Sequence, residues 1–463
     1  MNKTLLLSFL IVCCFFSIRA NIITVPTNYS SIQLAINASV DGDTIVILQG
    51  TYFENINLKG KKILLTSLFY LSNDTTYISS TIINGSQPVQ PDTGSCVLMI
   101  SGEDSTTILQ GFTITGGTGT KWLDEHGAGT YREGGGILIQ YSSPVIRHNS
   151  IIYNVATNTS GANGAGGGGL RIGDCNPQIL NNIIALNQAR YGPGIVLNYT
   201  GCRIKNNLIC YNSGGQDYLG GAAVWANSNP LTPTSKIIEN NTIYSNHAVA
   251  GTGGILSWGT SVIVTNNILW NNTSPNNSQI YPFGGGTATV NYSDVQGGYA
   301  GSGNINFDPL FTDTASFYLA PLSPCIDAGD SSAIYNDIEN PGLPGFALAP
   351  SLGTTRNDMG AYGGQGAFAF GQGQPTGMKE ITSELNDIVI SPNPASNKFE
   401  VSGLKLPVES IELINTIGEV VSEENYSQNK NAVVVNAREL KSGIYFVRIF
   451  SSGNVITKKV VLK

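Results

Sequence analysis

Between Gly117 and Gly134 one stretch of chain gathers Trp122, Asp124, Glu125, His126, Tyr131, Arg132 and Glu133. An acid pair, an imidazole and a guanidinium are groups that take up and deliver protons or steady developing charge. An indole and a phenol offer flat apolar platforms with a polar edge, against which a sugar face can lie. Asp124, Glu125, His126, Arg132 and Glu133 are therefore the candidate catalytic residues, and Trp122 and Tyr131 the candidate binding platforms. Asp217, Tyr218 and His247, on later loops, extend the binding set. The alternative for the same residues is a set of solvated loop charges. The chain has no His-Glu-x-x-His, Gly-x-Ser-x-Gly or Walker sequence, and Gly117-Thr118-Gly119-Thr120-Lys121 lacks the spacing of a phosphate cradle. No metal and no cofactor is assigned.

These loops hang on a repeat. Ile146-Arg147-His148-Asn149-Ser150-Ile151 returns as Ile179 to Ile184, Ile204 to Ile209, Ile238 to Ile243 and Val264 to Leu269, with Asn149, Asn182, Asn207, Asn241 and Asn267 in one phase at steps of 33, 25, 34 and 26 residues. A second asparagine keeps phase at Asn154, Asn187, Asn212, Asn246 and Asn272. Upstream of each word runs a glycine-led strand, and alternation places Ile137, Leu170, Ile195, Ala222 and Ile255 inward. Such short strands bury too little alone. Wound about one axis, each pairs with its equivalent about 4.8 Å away and like side chains pile into ladders.

Asparagine suits the corners because it tolerates left-handed backbone and its amide can bond the next amide or the turn backbone one coil away. Loops fall at one recurring position, 117–134, 155–168, 188–192, 213–220 and 247–253, and so share an edge. His126 and His247, four coils apart, should not touch. A separate insertion, Ser228 to Lys236, leaves from another corner. Arg147, Lys205 and Glu239 form an outward column. At the start, Tyr29, Ile32, Ala35 and Ile36 recur at helical spacing behind Ser30 and Ser31, an amphipathic helix fit to cap the first coil. Asp41, Asp43 and Glu54 are expected to serve turns and caps.

Residues 1–20, with Lys3, an apolar run from Leu5 to Phe16 and Ser17-Ile18-Arg19-Ala20, form a secretory signal peptide. The run is too short to span a bilayer, and no later one is longer, so the mature chain has no membrane span. Its removal takes away Lys3 and Arg19 and moves the formal charge from −7 to −9. With only 12% charged residues and an acidic balance, nucleic acid is excluded as a partner. Cys96, Cys175, Cys202, Cys210 and Cys325 remain, an odd count that defines no disulfide framework.

The Asn words, the glycine-led strands and the opening line Asp41-Gly42-Asp43-Thr44-Ile45 with Gly50-Thr51-Tyr52-Phe53-Glu54 resemble right-handed parallel β-helix repeat proteins of the pectin-lyase-like superfamily. The resemblance implies an all-β solenoid over 21–303. Residues 304–364, with Ser323-Pro324-Cys325-Ile326-Asp327 and Asp358-Met359-Gly360-Ala361-Tyr362, resemble the segment that closes many secreted β-helix proteins. A Gly- and Gln-rich linker, 365–387, follows. Residues 388–463 form a small antiparallel β-sandwich. Its Ser391-Pro392-Asn393-Pro394, Leu440-Lys441-Ser442-Gly443-Ile444-Tyr445 and terminal Lys458-Lys459-Val460-Val461-Leu462-Lys463 resemble the type A sorting domain of the Bacteroidetes type IX secretion system.

These resemblances imply a secreted or cell-surface protein that uses the type IX machinery as a partner and engages extracellular glycan. The enzyme alternative they imply is a polysaccharide lyase, with Ca²⁺ as its cofactor, or a glycoside hydrolase using paired carboxylates. A further alternative is a non-catalytic adhesin or spacer.

Overall fold

The structure, a computed structural model, describes residues 20–124, 126–218, 220–228, 236–275, 278–370, 389–402, 410–414, 420–426, 432–438, 440–451 and 454–463. Residues 1–19 of the expected signal peptide, Glu125, residues 229–235 of the expected Ser228 to Lys236 insertion and residues 371–387 of the expected linker lie outside this set. Contacts divide the chain into two units, 1–377 and 378–463.

In the first unit every repeat contributes strands of two to five residues that pair in parallel with their equivalents one coil away. Three long sheets result: ten strands from Ile22–Val25 to Thr287–Asn291, nine from Gly50–Tyr52 to Asp294–Val295, and eight from Ile56–Asn57 to Ile280–Phe283. This is a right-handed parallel β-helix. A short fourth sheet, Val155–Ala156, Gln188–Ala189, Ser213–Gly214 and His247–Ala248, marks the stacked edge where the loops leave.

Registry carries the aliphatics inward in columns. Ile146, Ile179, Ile204, Ile238 and Val264 superpose in the first sheet, and Ile151, Ile184, Ile209, Ile243 and Leu269 in the second, all fully buried. Each such side chain stabilises the fold by about 1.5–3 kcal/mol. In the third sheet the column is Ile137, Leu170, Ile195, Val224 and Ile255. Val224, not Ala222, is the fourth member. That strand begins two residues later than the glycine signal suggests, because Ala222 and Ala223 fill the corner occupied by Pro193 and Gly194 in the preceding coil, where Gly194 and Ile195 donate to their carbonyls at 2.8 and 3.0 Å.

The asparagines superpose as well. Asn149 Nδ2 donates to Asn182 Oδ1 (3.2 Å), Asn182 to Asn207 (3.1 Å), Asn207 to Asn241 (3.0 Å) and Asn241 to Asn267 (3.0 Å). The second column, Asn154 to Asn272, repeats this at 2.9–3.1 Å. Every rung also bonds backbone of the preceding coil, as Asn207 Nδ2 does to Ile179 O at 2.8 Å. Both ladders are buried, so the amides satisfy turn backbone that water cannot reach.

One expectation is corrected here. The left-handed residues are not the ladder asparagines but those just before them: His148, Asn181, Asn206, Asn240 and Asn266 at φ 50–58°. The doubled asparagine thus divides its work, the first turning the chain outward and the second pointing its amide into the core.

The helix Ile32–Ala38 buries Ile32, Ala35 and Ile36 against the first coil, and Ser31 Oγ accepts from Leu34 N. Glu54 accepts from the N–H groups of Ile32 and Gln33, both at 2.9 Å, while Asp43 and Asp41 accept turn N–H groups. These acids are structural.

Past Asp294, bridged to Ile305, the chain does not simply stop the solenoid. Residues 304–370 return along its outside. Phe317, Ala361, Tyr362 and Phe370 cover Ile152, Ile183, Ala185, Leu208 and Cys210 of the second sheet. The outward asparagines hold this strap: Asn181 Nδ2 reaches Gly366 O (2.7 Å), Asn206 reaches Gly363 O (2.7 Å) and Ala361 O (3.0 Å), and Asn240 reaches Asp358 O (3.0 Å). Residues 365–370 were expected to begin the linker. They belong to the strap instead, with Phe368 against His148 and Phe69.

The second unit pairs an antiparallel sheet of Val389–Ser391, Lys398–Ser402 and Ala432–Asn436 with one of Val420–Asn425, Ser410–Ile414, Gly443–Ser451 and Asn454–Leu462. Phe399, Val401, Ile411, Val447, Ile449 and Val460 form its core.

Candidate functional site

The stretch 117–134 is a hairpin. Gly119–Asp124 pairs antiparallel with Gly129–Glu133, and the two strands are tied to neighbouring coils through Thr93–Gly94 and Ala165–Gly166. It is thereby fixed as an overhang beside the outward face of the third sheet. Beneath it lies a cleft of about 190 Å³ lined by Asp124, Glu133, Asn198 and Asn227 among Tyr131, Tyr191, Tyr199, Tyr218, Trp225 and Trp258.

Parallel register explains why these residues meet. On the third sheet one outward column reads Leu138, Arg171, Val196, Trp225, Leu256, Tyr281, and the other Gln140, Gly173, Asn198, Asn227, Trp258, Phe283. The aromatic rings make a continuous track: Tyr191 to Trp225 at 5.2 Å, Trp225 to Trp258 at 6.1 Å and Trp258 to Phe283 at 5.2 Å, flanked by Tyr218 at 5.2 Å from Tyr191 and 6.3 Å from Trp258.

A polar chain supports it. Glu133 is 2% exposed, pairs with Arg171 Nε at 2.9 Å through Oε2, and accepts the Tyr191 hydroxyl at Oε1. Arg171 continues to Gln140, and Gln140 Nε2 donates to Asp174 Oδ2 at 2.9 Å. Asp174 Oδ1 meets His126 Nε2 at 2.9 Å, and the imidazole leans on the Tyr199 ring with centroids 3.9 Å apart. Gly173 makes room for this chain, since a Cβ there would collide with Gln140 and Arg171. Burial, then the Glu133 charge, holds the Tyr191 phenol well above its ordinary value, so it stays a neutral donor. Burial also raises Tyr199, with the carboxylates of Asp124, Asp174 and Glu133 adding to it and Arg171 opposing.

The candidate residues divide. Asp124, Glu133, Tyr131 and Tyr218 line the cleft, and His126 sits at its rim through Asp174 and Tyr199. Glu125 lies outside the described residues. Arg132 is buried in the hairpin's anchorage, donating to Gly119 O (2.7 Å), Pro91 O (2.6 Å) and Asp92 Oδ1 (3.2 Å). Trp122 pairs in register with Tyr131 but is not a wall of the cleft. Asp217 is paired with Arg190 (2.9 Å). His247 lies on the fourth sheet, its Nδ1 at 2.9 Å from Thr273 Oγ1.

Tyr191, Tyr199, Trp225, Trp258, Asn198, Asn227, Arg171 and Asp174 escaped the sequence. For Arg171, Asn198, Trp225, Asn227 and Trp258 the signal was available, as polar and aromatic residues at outward positions of the glycine-led strands, whereas Asp174, Tyr191 and Tyr199 flank those strands.

Chemically, both Glu133 oxygens are engaged, and His126 Nε2 is held by Asp174. Asp124 Oδ1 accepts from His126 N (2.9 Å) and Ala128 N (3.4 Å), closing the hairpin turn. What faces the cleft is a carboxylate, two amides and aromatic walls. Among the described residues no group of three or more His, Cys, Asp or Glu is placed to hold a metal ion.

Residues 389–463 match the secretion system C-terminal sorting domain. A tail of this kind, of the type IX system, directs a chain to the cell surface or beyond. None of the curated proteins matches the chain. Among solved structures, it is similar to a pectin methylesterase mutant in complex with a hexasaccharide, at 10% identity and TM-score 0.37 over 61% of this chain and 90% of that one. A pectin methylesterase from carrot is 14% identical at TM-score 0.37, over 61% of this chain and 82% of that one. Among the described residues no helix is long and apolar enough to cross a membrane.

Proposed function

We propose that the exported solenoid engages extracellular saccharide in the cleft over its third sheet, holding the sugar rather than cleaving it. The observation that supports this is the wall of Tyr131, Tyr191, Tyr199, Tyr218, Trp225 and Trp258 around Asp124, Asn198 and Asn227. Sugars present apolar C–H faces and a rim of hydroxyls. Rings against the faces and amides at the rim answer both. At about 190 Å³ the cleft is smaller than the roughly 300 Å³ at which drug-sized sites begin, which suits one sugar ring per cleft. Along the track Tyr191 and Trp225 are buried and form its floor, while Tyr218, Trp258 and Phe283 keep exposed surface on which a sugar face can rest.

Holding is favoured over turnover because Glu133 and His126, the groups best suited to proton transfer, are tied into the Arg171 and Asp174 network. The test is a panel of polysaccharides with and without Ca²⁺, read by tryptophan fluorescence and by product formation. Saturable quenching without products supports the reading. Unsaturated products absorbing in the ultraviolet would replace it with a lyase, and new reducing ends with a hydrolase. Trp258→Ala should weaken binding about tenfold or more. An unchanged affinity would remove this cleft from the account.

A further inference from the structure

Resting on that reading, we infer that the cleft selects its sugar by charge, taking a protonated amino sugar ahead of a neutral one and rejecting a uronate. Two carboxylates, Asp124 and Glu133, line the cleft, and among the described residues Arg171 pairs with Glu133 while His126 meets Asp174 behind it. Glu133 is neutralised by Arg171, and Asp174 is bound by His126. Asp124 has no cationic partner among the described residues and opens onto the cleft. The other nearby cations are committed elsewhere: Arg190 to Asp217, Lys121 to Asp92, and Arg132 to Asp92 and backbone carbonyls. A uronate carboxylate entering here would face Asp124, and among the described residues no guanidinium or ammonium lines the cleft to meet it, where aromatic walls weaken screening.

A second feature asks for a donor. Asn198, 7% exposed, lines the same cleft, and among the described residues its Oδ1 accepts no hydrogen bond. A buried acceptor left unmatched destabilises the site, and a ligand N–H or O–H that reaches it relieves that cost. A carboxylate brings no proton to it. An ammonium or hydroxyl does. Asp124 and Asn198 therefore ask for the same kind of ligand group from two different elements, the hairpin and the third sheet.

The test uses the full chain and three oligosaccharides of equal length: glucosamine, N-acetylglucosamine and galacturonate oligomers. Tryptophan fluorescence is titrated at low ionic strength and mildly acidic pH, where amines are protonated and carboxylates ionised. The glucosamine oligomer should bind about tenfold tighter than its acetylated counterpart, and the galacturonate oligomer weakest. Salt should narrow the gap. Asp124→Asn should bring the first two within about twofold, and Asp124→Ser, which keeps a turn acceptor, should do the same if the amide disturbs the hairpin. A galacturonate oligomer binding as tightly as the glucosamine oligomer, or an order unchanged in both variants, overturns the charge selection while leaving saccharide binding intact. Absence of quenching by all three oligomers overturns both.

Discussion

The solenoid carries aromatic side chains on two flanks, and the chain treats them differently. On the second sheet Tyr211 and Tyr244 lie against Phe317 at 6.2 and 5.1 Å, and the returning strap of residues 304–370 seals them with Phe311, Tyr362 and Phe370. On the third sheet Trp225 and Trp258 stand with Tyr191 and Tyr218 around an open cleft, and no strap crosses them among the described residues. Composition alone does not separate the two. Rings on a sheet face become core where the chain supplies its own cover, and become a site where polar groups such as Asp124, Asn198 and Asn227 are set among them. The strap flank is held by asparagine Nδ2 groups that reach strap carbonyls. Among the described residues each flank keeps one buried amide oxygen without a donor, Asn206 Oδ1 under the strap and Asn198 Oδ1 at the cleft.

Breaking what both flanks share should have the largest effect. Asn207→Ala removes an amide that donates to Ile179 O, Lys205 O and Asn241 Oδ1 and accepts from Asn182 N and Nδ2, all but the bond to Lys205 O fully buried. Orphaning several such groups should cost about 3–5 kcal/mol in urea unfolding of the solenoid. Both the strap and the cleft should be lost together.

Titration should then single out the strap. Burial pushes the Asp337 carboxyl up to about 8, with the Asp358 charge adding to it, and pushes Asp358 up to about 7. A carboxyl kept protonated by the fold stabilises it fully below its free value near 3.9 and loses that contribution as pH rises through the folded value. Protection of strap amides from hydrogen exchange should therefore fall from about pH 4 to about pH 8, once corrected for intrinsic exchange. Asp337→Asn should flatten the fall. A strap whose protection rises over that range would contradict the assignment.

A smaller effect separates the two asparagines of one word. Asn206→Gly keeps the left-handed turn at φ 55° but drops the bonds to Ala361 and Gly363. It should destabilise the strap by about 1–2 kcal/mol and leave saccharide affinity unchanged. Tyr244→Ala should likewise lower stability without altering binding, the converse of Trp258→Ala.

Much of the winding was legible. The five Asn words marked the coils, and the aliphatics at fixed offsets marked the inward faces, because in a parallel stack each residue's neighbour is its own repeat equivalent. The Gly220-Gly221 coil misled by two residues, since Ala222-Ala223 can stand where Pro193-Gly194 does and a glycine signal does not count corner residues. The strap was missed although Ser150-Ile151-Ile152 and Leu208-Ile209-Cys210 are apolar at adjacent positions, the mark of a parallel strand covered on both faces. The candidate site was legible in Asp124, Glu133, Tyr131 and Tyr218. It was misjudged at Arg132, a large cation whose carbonyl partners at Gly119 and Pro91 are set by how the hairpin docks.

What this sequence determined by itself is periodicity: which side chains recur, face inward and stack, because coil-to-coil contacts follow from local spacing and repeat. Only the tertiary structure decided which outward columns are covered. The path of residues 304–370 brings Gly366 to Asn181 and Phe317 to Tyr244, contacts between segments far apart in the chain, and so turns one aromatic flank into core while the flank under the hairpin remains open to a ligand.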